Sequence, residues 1–463
     1  MAQFRTKARA VELLGKGQIA DLPTAISELW KNGYDAYADK LSCNLYLPGY
    51  KDNQVPIFTL SDNGFGMSKH DILNKWIVLG TDSKARGRSY LTDEERLGKA
   101  IRVPMGEKGI GRLSVAYLGS PMLMFTKKKN QKCQLLFIDW RILENYNLFI
   151  DDINIPLSEF STIEEFSISF LDMQADFQNN LNESQWRDQQ TQLETITTDV
   201  ESLAIPDFIL EEIIPDFLQE EYHGTTFLIF QPNEQLLELA DCFKNEDTDS
   251  ITEIRRSLSG IYNVFVEIPN FSTAFNIIDD KGEYDIINDF FEHEDFNNSD
   301  HYIKGHFDEN GLFTGIVRVF KETFNYTYRP VRSPGKTPYG PFDVELSVLE
   351  GTSKNTMLTP DMYQFMNSKT EKFGGLYIYR DNFRVLPYGR VDYDFLKFEE
   401  RRTRKAGYYF FSHRNIFGYI SIGREQNPHL IDKAGREGLI ENKAYREFKK
   451  DLIQFFIALA MAY

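Results

Sequence analysis

The sequence predicts an α+β fold in more than one domain, and three observations support this. Apolar residues recur at steps of three or four along residues 19–30, as in an amphipathic helix. Strand-like runs joined by polar turns occupy residues 40–60, 120–140 and 302–320. The chain of 463 residues is also long for one hydrophobic core, so two or three domains are expected.

Composition limits the classes of function. The 37 Phe and 24 Tyr residues can build large cores and argue against disorder. A net charge of -17 does not favour nucleic acid as a partner of the whole chain, although a local basic patch could still bind it. Cys43, Cys133 and Cys242 lie far apart, which suits a reducing cytosol. No signal-peptide pattern and no apolar run of ~20 residues is present, so a cytoplasmic protein is expected.

The first informative stretch is Glu28–Ala36, inside the predicted helix. Glu28 and Asn32 are four residues apart, so they lie on one helix face, one turn apart. Pro23 is expected in the first turn, where its missing N–H costs little. A carboxylate stacked on a carboxamide fits either a solvated helix face or a hydrolytic base beside a metal ligand. The pair alone does not decide between them.

Two glycine-containing stretches follow. Ser61–Met67 comes directly after a strand-like run and reads as a tight turn whose second glycine permits close approach of a backbone or ligand. Gly106–Ser114 places glycines at steps of three and two before a helix-like run, and bare amides there suit phosphate binding. The alternatives are a plain hairpin turn for the first stretch and a Rossmann turn for the second. No strand leads directly into the second stretch, as a Rossmann motif requires.

Taken in this order, the three stretches resemble the motifs of the GHKL ATPases, the superfamily of gyrase B, heat-shock-90 chaperones, histidine kinases and MutL. The family patterns are E-x-x-x-N-x-x-D-A, D-x-G-x-G and G-x-x-G-x-G, and this chain carries all of them. His223–Phe230 looks like the family's Gly-Thr strand. The resemblance covers roughly the first half of the chain. It implies a Bergerat-type ATPase α/β sandwich, a mixed sheet with helices on one face.

The resemblance also implies an ATP site with a magnesium ion. Glu28 would orient and deprotonate the attacking water, and Asn32 would give one oxygen to magnesium. Asp62 would accept a hydrogen bond from the adenine amino group, with Thr225 sharing a bound water. Asp35 would brace the helix. Further nucleotide contacts are implied by the resemblance. Gly64, Gly66 and Met67 would line the purine pocket, and Gly106, Gly109, Ile110 and Gly111 would belong to the phosphate-binding loop. Lys84 and Lys108 would balance the negative charge of the phosphates.

The chain departs from the family at Gly33, where relatives often have alanine or serine. The glycine is expected to weaken the helix by up to ~1 kcal/mol against alanine and to remove no chemistry. Residues 85–105 are long, polar and basic for a connection, and their place before the glycine loop predicts an ATP lid.

Residues 1–245 are predicted as the ATPase domain, with an insertion at about 141–222. Residues 246–463 resemble the transducer domain, of ribosomal-protein-S5-like α/β fold, that follows the ATPase domain in MutL, gyrase and MORC proteins. There a loop lysine reaches back to the terminal phosphate. Lys433 is the best match for that catalytic lysine, and Arg436 is the reserve.

The MORC-like and MutL-like branches are the nearest by this comparison, and two functions stay open. One is an ATP-hydrolysing switch with magnesium-dependent lid closure and ATP-promoted homodimerisation, in which residues 1–18 form either a dimer arm or a frayed end. DNA-directed or prokaryotic defence roles follow by analogy alone. The other is a nucleotide-gated scaffold with negligible hydrolysis. Basic stretches at 127–132 and 399–405 are expected to be either solvated surfaces or DNA contacts. The apolar run 452–463 is expected to be either a buried terminal helix or a segment at which a longer native protein has been truncated.

Overall fold

The computed structural model describes residues 5–79, 91–106, 111–245, 249–266, 271–404, 411–433 and 438–462. The chain forms two compact units. The first unit is Met1–Ile251 with Asn270–Ile286, and the second is Thr252–Pro269 with Ile287–Tyr463. The ATPase and transducer domain ranges stay predictions. Residues 272–279 lie beyond the predicted boundary at residue 245. They nevertheless form a strand of the first unit's sheet.

The first unit is built on an eight-stranded mixed sheet, in the order β5-β4-β3-β6-β2-β1-β7-β8. Strands β1 and β7 are parallel, and the other neighbours are antiparallel. The strands are β1 (Lys40–Tyr46), β2 (Ile57–Asp62), β3 (Met122–Lys127), β4 (Cys133–Ile138), β5 (Leu157–Phe160), β6 (Gly224–Ile229), β7 (Ser272–Asp279) and β8 (Gly282–Asp285).

The first unit also contains several helices. They are α1 (Ala8–Leu14), α2 (Leu22–Asp35), α3 (Lys69–Asp71), α4 (Val115–Leu118), α5 (Ile163–Gln178), α6 (Gln190–Ser202), α7 (Ile214–Leu218) and α8 (Glu234–Asn245). Helix α2 begins where Asp21 caps it by accepting the Thr24 N–H at 2.9 Å, with Pro23 in its first turn as predicted. Helix α3 begins at a capping box, in which the Ser68 hydroxyl accepts the Asp71 N–H and the Asp71 carboxylate accepts the Ser68 N–H.

The α+β class is confirmed, and the sheet carries helices on both faces rather than on one. Phe125 of β3 packs edge-on against Phe166 of α5 and Phe217 of α7. The next residue, Thr126, points to the opposite face, where its hydroxyl contacts the Met67 N–H. The segment predicted as an insertion therefore supplies the cover of the second face, together with the edge strand β5.

The second unit is built on a seven-stranded sheet, in the order β11-β10-β9-β12-β15-β13-β14. Strands β13 and β15 are parallel, and the other pairs are antiparallel. The strands are β9 (His301–Phe307), β10 (Phe313–Val319), β11 (Glu322–Tyr328), β12 (Phe342–Val348), β13 (Gly375–Arg380), β14 (Phe383–Arg384) and β15 (Ile416–Ile422). The helices are α9 (Asp249–Leu258), α10 (Pro360–Phe373), α11 (Phe398–Arg404) and α12 (Lys443–Ala462). The second unit begins at Thr252, within α9.

Two cores cover the faces of the second sheet. Helix α12 buries Phe448, Leu452 and Phe455 in one of them, which confirms that the apolar run near the chain's end forms a buried helix. The other core stacks Phe417 of β15 against Phe291. Among the described residues, no helix is both long and apolar enough to cross a lipid bilayer.

Candidate nucleotide site

The candidate site begins on one face of α2. Glu28 is 4% exposed, and Lys31 Nζ donates a hydrogen bond to Glu28 Oε1 at 2.9 Å. Asn32 is half-buried one turn further along the same face. A buried carboxylate beside a carboxamide oxygen is a donor set that suits a general base and an oxygen ligand for a hard cation such as magnesium.

Asp35, at the end of α2, joins this helix to the start of the glycine-rich stretch. Its Oδ1 accepts the Met105 N–H at 2.6 Å, and its Oδ2 accepts the Gly106 N–H at 3.0 Å. The sequence predicts a bracing role for Asp35, and these contacts identify the segment that it holds. Charge-assisted bonds of this kind are about twice as strong as neutral ones.

Asp62 ends β2 and faces the same region. Its Oδ1 accepts the Gly64 N–H at 2.8 Å, which closes the tight turn that the sequence predicts. The side chain keeps part of its surface open, but the surrounding protein excludes most water from the carboxylate. This burial raises the pKa of Asp62 to about 6, although the Gly64 N–H works in the opposite direction. The turn is held from outside by Asn63, whose Oδ1 accepts the N–H groups of Asp39 and Lys40 at 2.8 Å each.

Glycines allow these segments to pack closely. A Cβ on Gly33 would lie 2.5 Å from Leu41 Cδ2 and 3.1 Å from Asp62 Cβ, so α2 and the end of β2 touch at this point. Gly66 has a φ of 68°, and a Cβ there would lie 1.9 Å from the Lys127 carbonyl oxygen. A Cβ on Gly64 would likewise lie 2.6 Å from the Ala36 carbonyl oxygen, so the backbone of the protein itself requires both predicted turn glycines, Gly64 and Gly66.

Thr225 lies beside Asp62, because the two residues are register partners on β6 and β2. The Thr225 hydroxyl is 2.8 Å from the hydroxyl of Thr126, which also contacts the Met67 N–H at 3.0 Å and the Gly224 carbonyl at 3.0 Å. Sequence reasoning missed Thr126, since one threonine in an apolar strand carries no local signal. It also missed His223, whose Nδ1 lies 2.8 Å from the Gly64 carbonyl oxygen.

The described part of the predicted lid lies along the C-terminal end of α2. The Arg102 guanidinium donates to the carbonyl oxygens of Tyr34 at 3.1 Å and Ala38 at 2.7 Å. Lys99 Nζ donates to the Tyr37 carbonyl at 2.6 Å. These cations donate to carbonyl groups at and just beyond the C-terminal end of the helix, where the helix dipole favours positive charge. In the described segment, much of the predicted basic character therefore has a structural use.

Several predicted contacts lie outside the described residues: Lys84, Lys108, Gly109 and Ile110. Gly106 and Gly111 border the gap, and Gly111 begins a short 3₁₀ turn, Gly111–Ser114, that leads into α4. Lys433 is exposed in the second unit, where its N–H donates to the Gly438 carbonyl at 2.9 Å. Arg436, the reserve for Lys433, also falls outside the described residues.

The metal prediction depends on one oxygen ligand rather than on a cluster. Across the parts of the chain that the structure describes, no group of three His, Cys, Asp or Glu side chains is placed to hold a metal ion. A magnesium ion that binds ATP takes most of its ligands from phosphate and water, so Asn32 fits the expected mode without such a group.

A separate cavity of about 480 Å³ lies in the first unit, lined in part by Val11, Tyr117 and Trp140. It is at the other end of the sheet, where Ser120 N donates to the Gln231 carbonyl oxygen next to the start of β3. The cavity is therefore distinct from the candidate site, which is next to Thr225 at the start of β6.

Three sequence-distant motifs thus meet around α2. Gly33 touches Asp62, Asp35 binds Gly106, and Asp62 pairs with Thr225. A buried acid, a carboxamide, a second carboxylate and paired hydroxyls are thereby gathered on one side of the sheet.

Comparison with known proteins gives a family match and a similar solved structure. Residues 20–169 match the family model described as histidine kinase-, DNA gyrase B- and HSP90-like ATPase. A solved structure, the N-terminal domain of a DNA repair protein, is similar over 98% of this chain and 99% of its own, with 14% identity and a TM-score of 0.44. No curated protein matches the chain. Residues 20–169 therefore form a histidine kinase-, gyrase B- and HSP90-like ATPase domain of the GHKL type, as their motifs predict.

Proposed function

We propose that the chain binds ATP with magnesium at the α2 site and hydrolyses it. The observation that carries the proposal is the meeting of the Glu28, Asp62 and Gly106 motifs around one helix. ATP hydrolysis needs a purine pocket, a magnesium ligand, phosphate donors and an activated water, and each motif supplies one or more of these.

Each residue has a distinct role in this proposal. The Asp62 carboxylate accepts a hydrogen bond from the adenine amino group. This contact selects against guanine, because guanine carries a carbonyl oxygen at the same ring position. Asn32 would hold a magnesium ion, which would offset the negative charge of the phosphates. Glu28 takes the proton of the water that attacks the terminal phosphorus. The N–H groups of the glycine stretch bind phosphate oxygens, and Asp35 fixes where that stretch begins.

The proposal extends to a conformational switch. Nucleotide would close residues 85–105 over the site as a lid, and Lys433 of the second unit would act at the terminal phosphate. Dimerisation would use α1, which packs on its own unit through Ala8, whose N–H donates to the Leu148 carbonyl at 3.0 Å. The same helix leaves Leu13 and Leu14 54% and 57% exposed, an apolar surface suited to a second subunit.

A second function, a nucleotide-gated scaffold with negligible hydrolysis, is favoured by one observation. The Glu28 carboxylate is engaged by Lys31, so a purely structural ion pair would account for its burial. In that case ATP would set the shape of the protein without being consumed.

The proposal assigns no DNA contact to the two basic stretches. Lys128 pairs with Asp71 at 2.8 Å, and Lys129 pairs with Glu221 at 2.5 Å. Arg404 of α11 pairs with Glu400 at 2.8 Å in the same way. Their charges are largely offset within the chain, in keeping with the strongly negative net charge.

The decisive experiment compares wild type with Glu28→Gln and Asp62→Asn. We expect magnesium-dependent ATP turnover in wild type, ATP binding without turnover in Glu28→Gln, and weak binding in Asp62→Asn. A general base contributes typically 10²–10⁴ in rate, so the loss in Glu28→Gln should be in that range. Undiminished turnover in Glu28→Gln would refute the catalytic assignment, and wild-type binding without turnover would favour the scaffold. Size-exclusion chromatography with a non-hydrolysable ATP analogue tests dimerisation in the same samples.

A further inference from the structure

His223 contacts the tight turn that carries the proposed adenine contact. The turn runs from Asp62 to Gly66 at the end of β2, and His223 stands directly before β6. The imidazole ring is half-buried, and its Nδ1 lies 2.8 Å from the Gly64 carbonyl oxygen. A carbonyl oxygen can only accept a hydrogen bond, so Nδ1 carries a proton and is the donor.

The backbone brings the two segments together at this point. Strands β2 and β6 are antiparallel neighbours, with Asp62 opposite Thr225. A Cβ on Gly224 would lie 2.3 Å from the Asp62 carbonyl oxygen, so the start of β6 touches the end of β2. From this contact His223 reaches Gly64, which is 159 residues away along the chain. The imidazole therefore links the turn to the strand that carries Thr225.

The hydrogen bonds of Gly64 show what this link controls. The Gly64 N–H donates to Asp62 Oδ1 at 2.8 Å, and the Gly64 carbonyl oxygen accepts from His223 Nδ1. In the same peptide group as that carbonyl, the Phe65 N–H donates to the Ala36 carbonyl oxygen at 2.9 Å. The peptide group between residues 64 and 65 is thus bonded at both ends, and it cannot rotate without losing a bond. The position of the Gly64 N–H, and with it the orientation of the Asp62 carboxylate, therefore depends on His223.

The two oxygens of the Asp62 carboxylate have different surroundings. Oδ1 accepts the Gly64 N–H, whereas no group within the described residues donates a hydrogen bond to Oδ2. Oδ2 is therefore the atom that can accept the adenine amino group in the proposed function. If Gly64 shifts, the carboxylate loses the bond that orients it, and the two oxygens lose their separate roles.

We propose that His223 is a positioning residue that determines base selectivity, because its hydrogen bond to Gly64 keeps Asp62 Oδ2 directed at the amino group of the base. This inference rests on the adenine recognition in the proposed function and does not require hydrolysis. Hypoxanthine and guanine carry a carbonyl oxygen where adenine has its amino group, and a carboxylate cannot donate to it. Loss of the His223 contact should therefore weaken the binding of adenine nucleotides more than that of inosine nucleotides.

The experiment measures the binding of ADP and of inosine diphosphate, each with magnesium, by isothermal titration calorimetry. The two nucleotides share ribose and phosphates and differ only along one edge of the base. The ratio of their dissociation constants therefore isolates base recognition, and neither nucleotide is consumed by the proposed hydrolysis. The melting temperature of every protein is measured in the same buffer.

The variants differ in whether a donor remains at the position of Nδ1. His223→Leu and His223→Gln remove it, because leucine has no donor and the glutamine amide lies one bond further from the backbone. His223→Asn keeps a side-chain N–H at that position and is close to leucine in size. Asp62→Asn reports on the direct contact, and His429→Leu, at an exposed position of the second unit, is the control.

We expect wild type to prefer ADP over inosine diphosphate by a factor on the order of a hundred. In His223→Leu and His223→Gln this preference should fall about tenfold, through weaker binding of ADP, while the affinity for inosine diphosphate stays within about threefold of wild type. His223→Asn should restore most of the preference, Asp62→Asn should lose most of it, and His429→Leu should match wild type.

The outcomes separate this inference from the proposed function. A wild type without preference for ADP, or an Asp62→Asn variant that keeps the preference, overturns both the adenine contact and the role of His223. If Asp62→Asn loses the preference while His223→Leu and His223→Gln keep it, the role of His223 alone is overturned, even when these variants melt earlier. An Asn variant that is no better than the Leu variant also overturns it, because the N–H would then not be the group that matters. Absence of ATP turnover in wild type would refute the proposed hydrolysis and leave the selectivity result standing.

Discussion

Asp35 anchors Gly106, since its Oδ2 accepts the Gly106 N–H at 3.0 Å while its Oδ1 accepts the Met105 N–H at 2.6 Å. One carboxylate thereby ties the end of the helix that carries the proposed base to the start of the proposed phosphate-binding stretch. The aspartate of the first motif thus acts on the third motif, and the two cannot be understood as separate sites.

The first prediction concerns this anchor. Asp35→Asn keeps one acceptor oxygen but loses the other and the negative charge, so one of the two N–H groups loses its partner. We expect ATP affinity to fall about tenfold and stability to fall by about 1–3 kcal/mol. Isothermal titration calorimetry and thermal melts measure the two effects. Asp52→Asn, on an exposed turn, is the matched control, and equal behaviour of the two variants would contradict the anchoring role.

The second prediction concerns Gly33. Alanine is the better helix former by up to ~1 kcal/mol, yet a Cβ at this position would lie 2.5 Å from Leu41 Cδ2 and 3.1 Å from Asp62 Cβ. We expect Gly33→Ala to lower stability by about 1–3 kcal/mol and to weaken ATP binding, because the end of β2 must move. Chemical denaturation and nucleotide titration measure this. Gly17→Ala, whose Cβ would meet nothing closer than 3.6 Å, should be neutral. A stabilised Gly33→Ala variant with normal binding would contradict the packing argument.

Gly33 shows what the sequence could and could not predict. Periodicity predicts α2 and the shared face of Glu28 and Asn32, because both are local properties of a helix. The expectation that Gly33 affects only helix propensity is incomplete, because its cost is decided by a strand that packs against it. Local rules report propensity, whereas close packing between distant segments depends on tertiary structure.

Long-range pairing limited the fold prediction in the same way. Strand β7 runs parallel to β1, although more than two hundred residues separate them. Parallel pairs have no hairpin turn that would mark them in the sequence. The sequence also did not predict that α5 and α7 cover the second face of the first sheet. The amphipathic pattern of a helix shows that one side is buried, but it does not show against which face of a sheet that side packs.

The third prediction tests Thr126, the residue that sequence reasoning missed. Thr126→Val keeps the shape of the side chain but removes the hydroxyl shared by Thr225, the Met67 N–H and the Gly224 carbonyl. Unpaired buried polar groups should lower stability by about 1–3 kcal/mol, and the adenine side of the site should bind ATP more weakly. Thr195→Val, on the exposed side of α6, is the control. Unchanged ATP affinity in Thr126→Val would place the hydroxyl outside the binding site.

The last prediction uses the titration of Asp62, whose pKa burial raises from 3.8 to about 6. An ionised carboxylate is the better acceptor for the adenine amino group, so ATP affinity should weaken as pH falls through about 6. Between about pH 7.5 and pH 5 we expect a loss of roughly tenfold in wild type. Asp62→Asn should bind ATP weakly at every pH, and its affinity should not depend on pH in this range. Asp172→Asn, at an exposed position of α5, is the control and should show the same pH dependence as wild type.

Stability should change in the opposite direction, which separates binding from folding. The folded-state pKa of Asp62 lies above the unfolded one, so its contribution to stability is present below about 3.8 and is lost as pH rises through about 6. At neutral pH the ionised group therefore destabilises the empty protein, by at most roughly 3 kcal/mol and by less where water reaches it. Without ATP at pH 7, Asp62→Asn should melt at the same temperature as wild type or higher. A lower melting temperature together with unchanged ATP affinity would make Asp62 a structural residue, and the adenine would have to be recognised elsewhere.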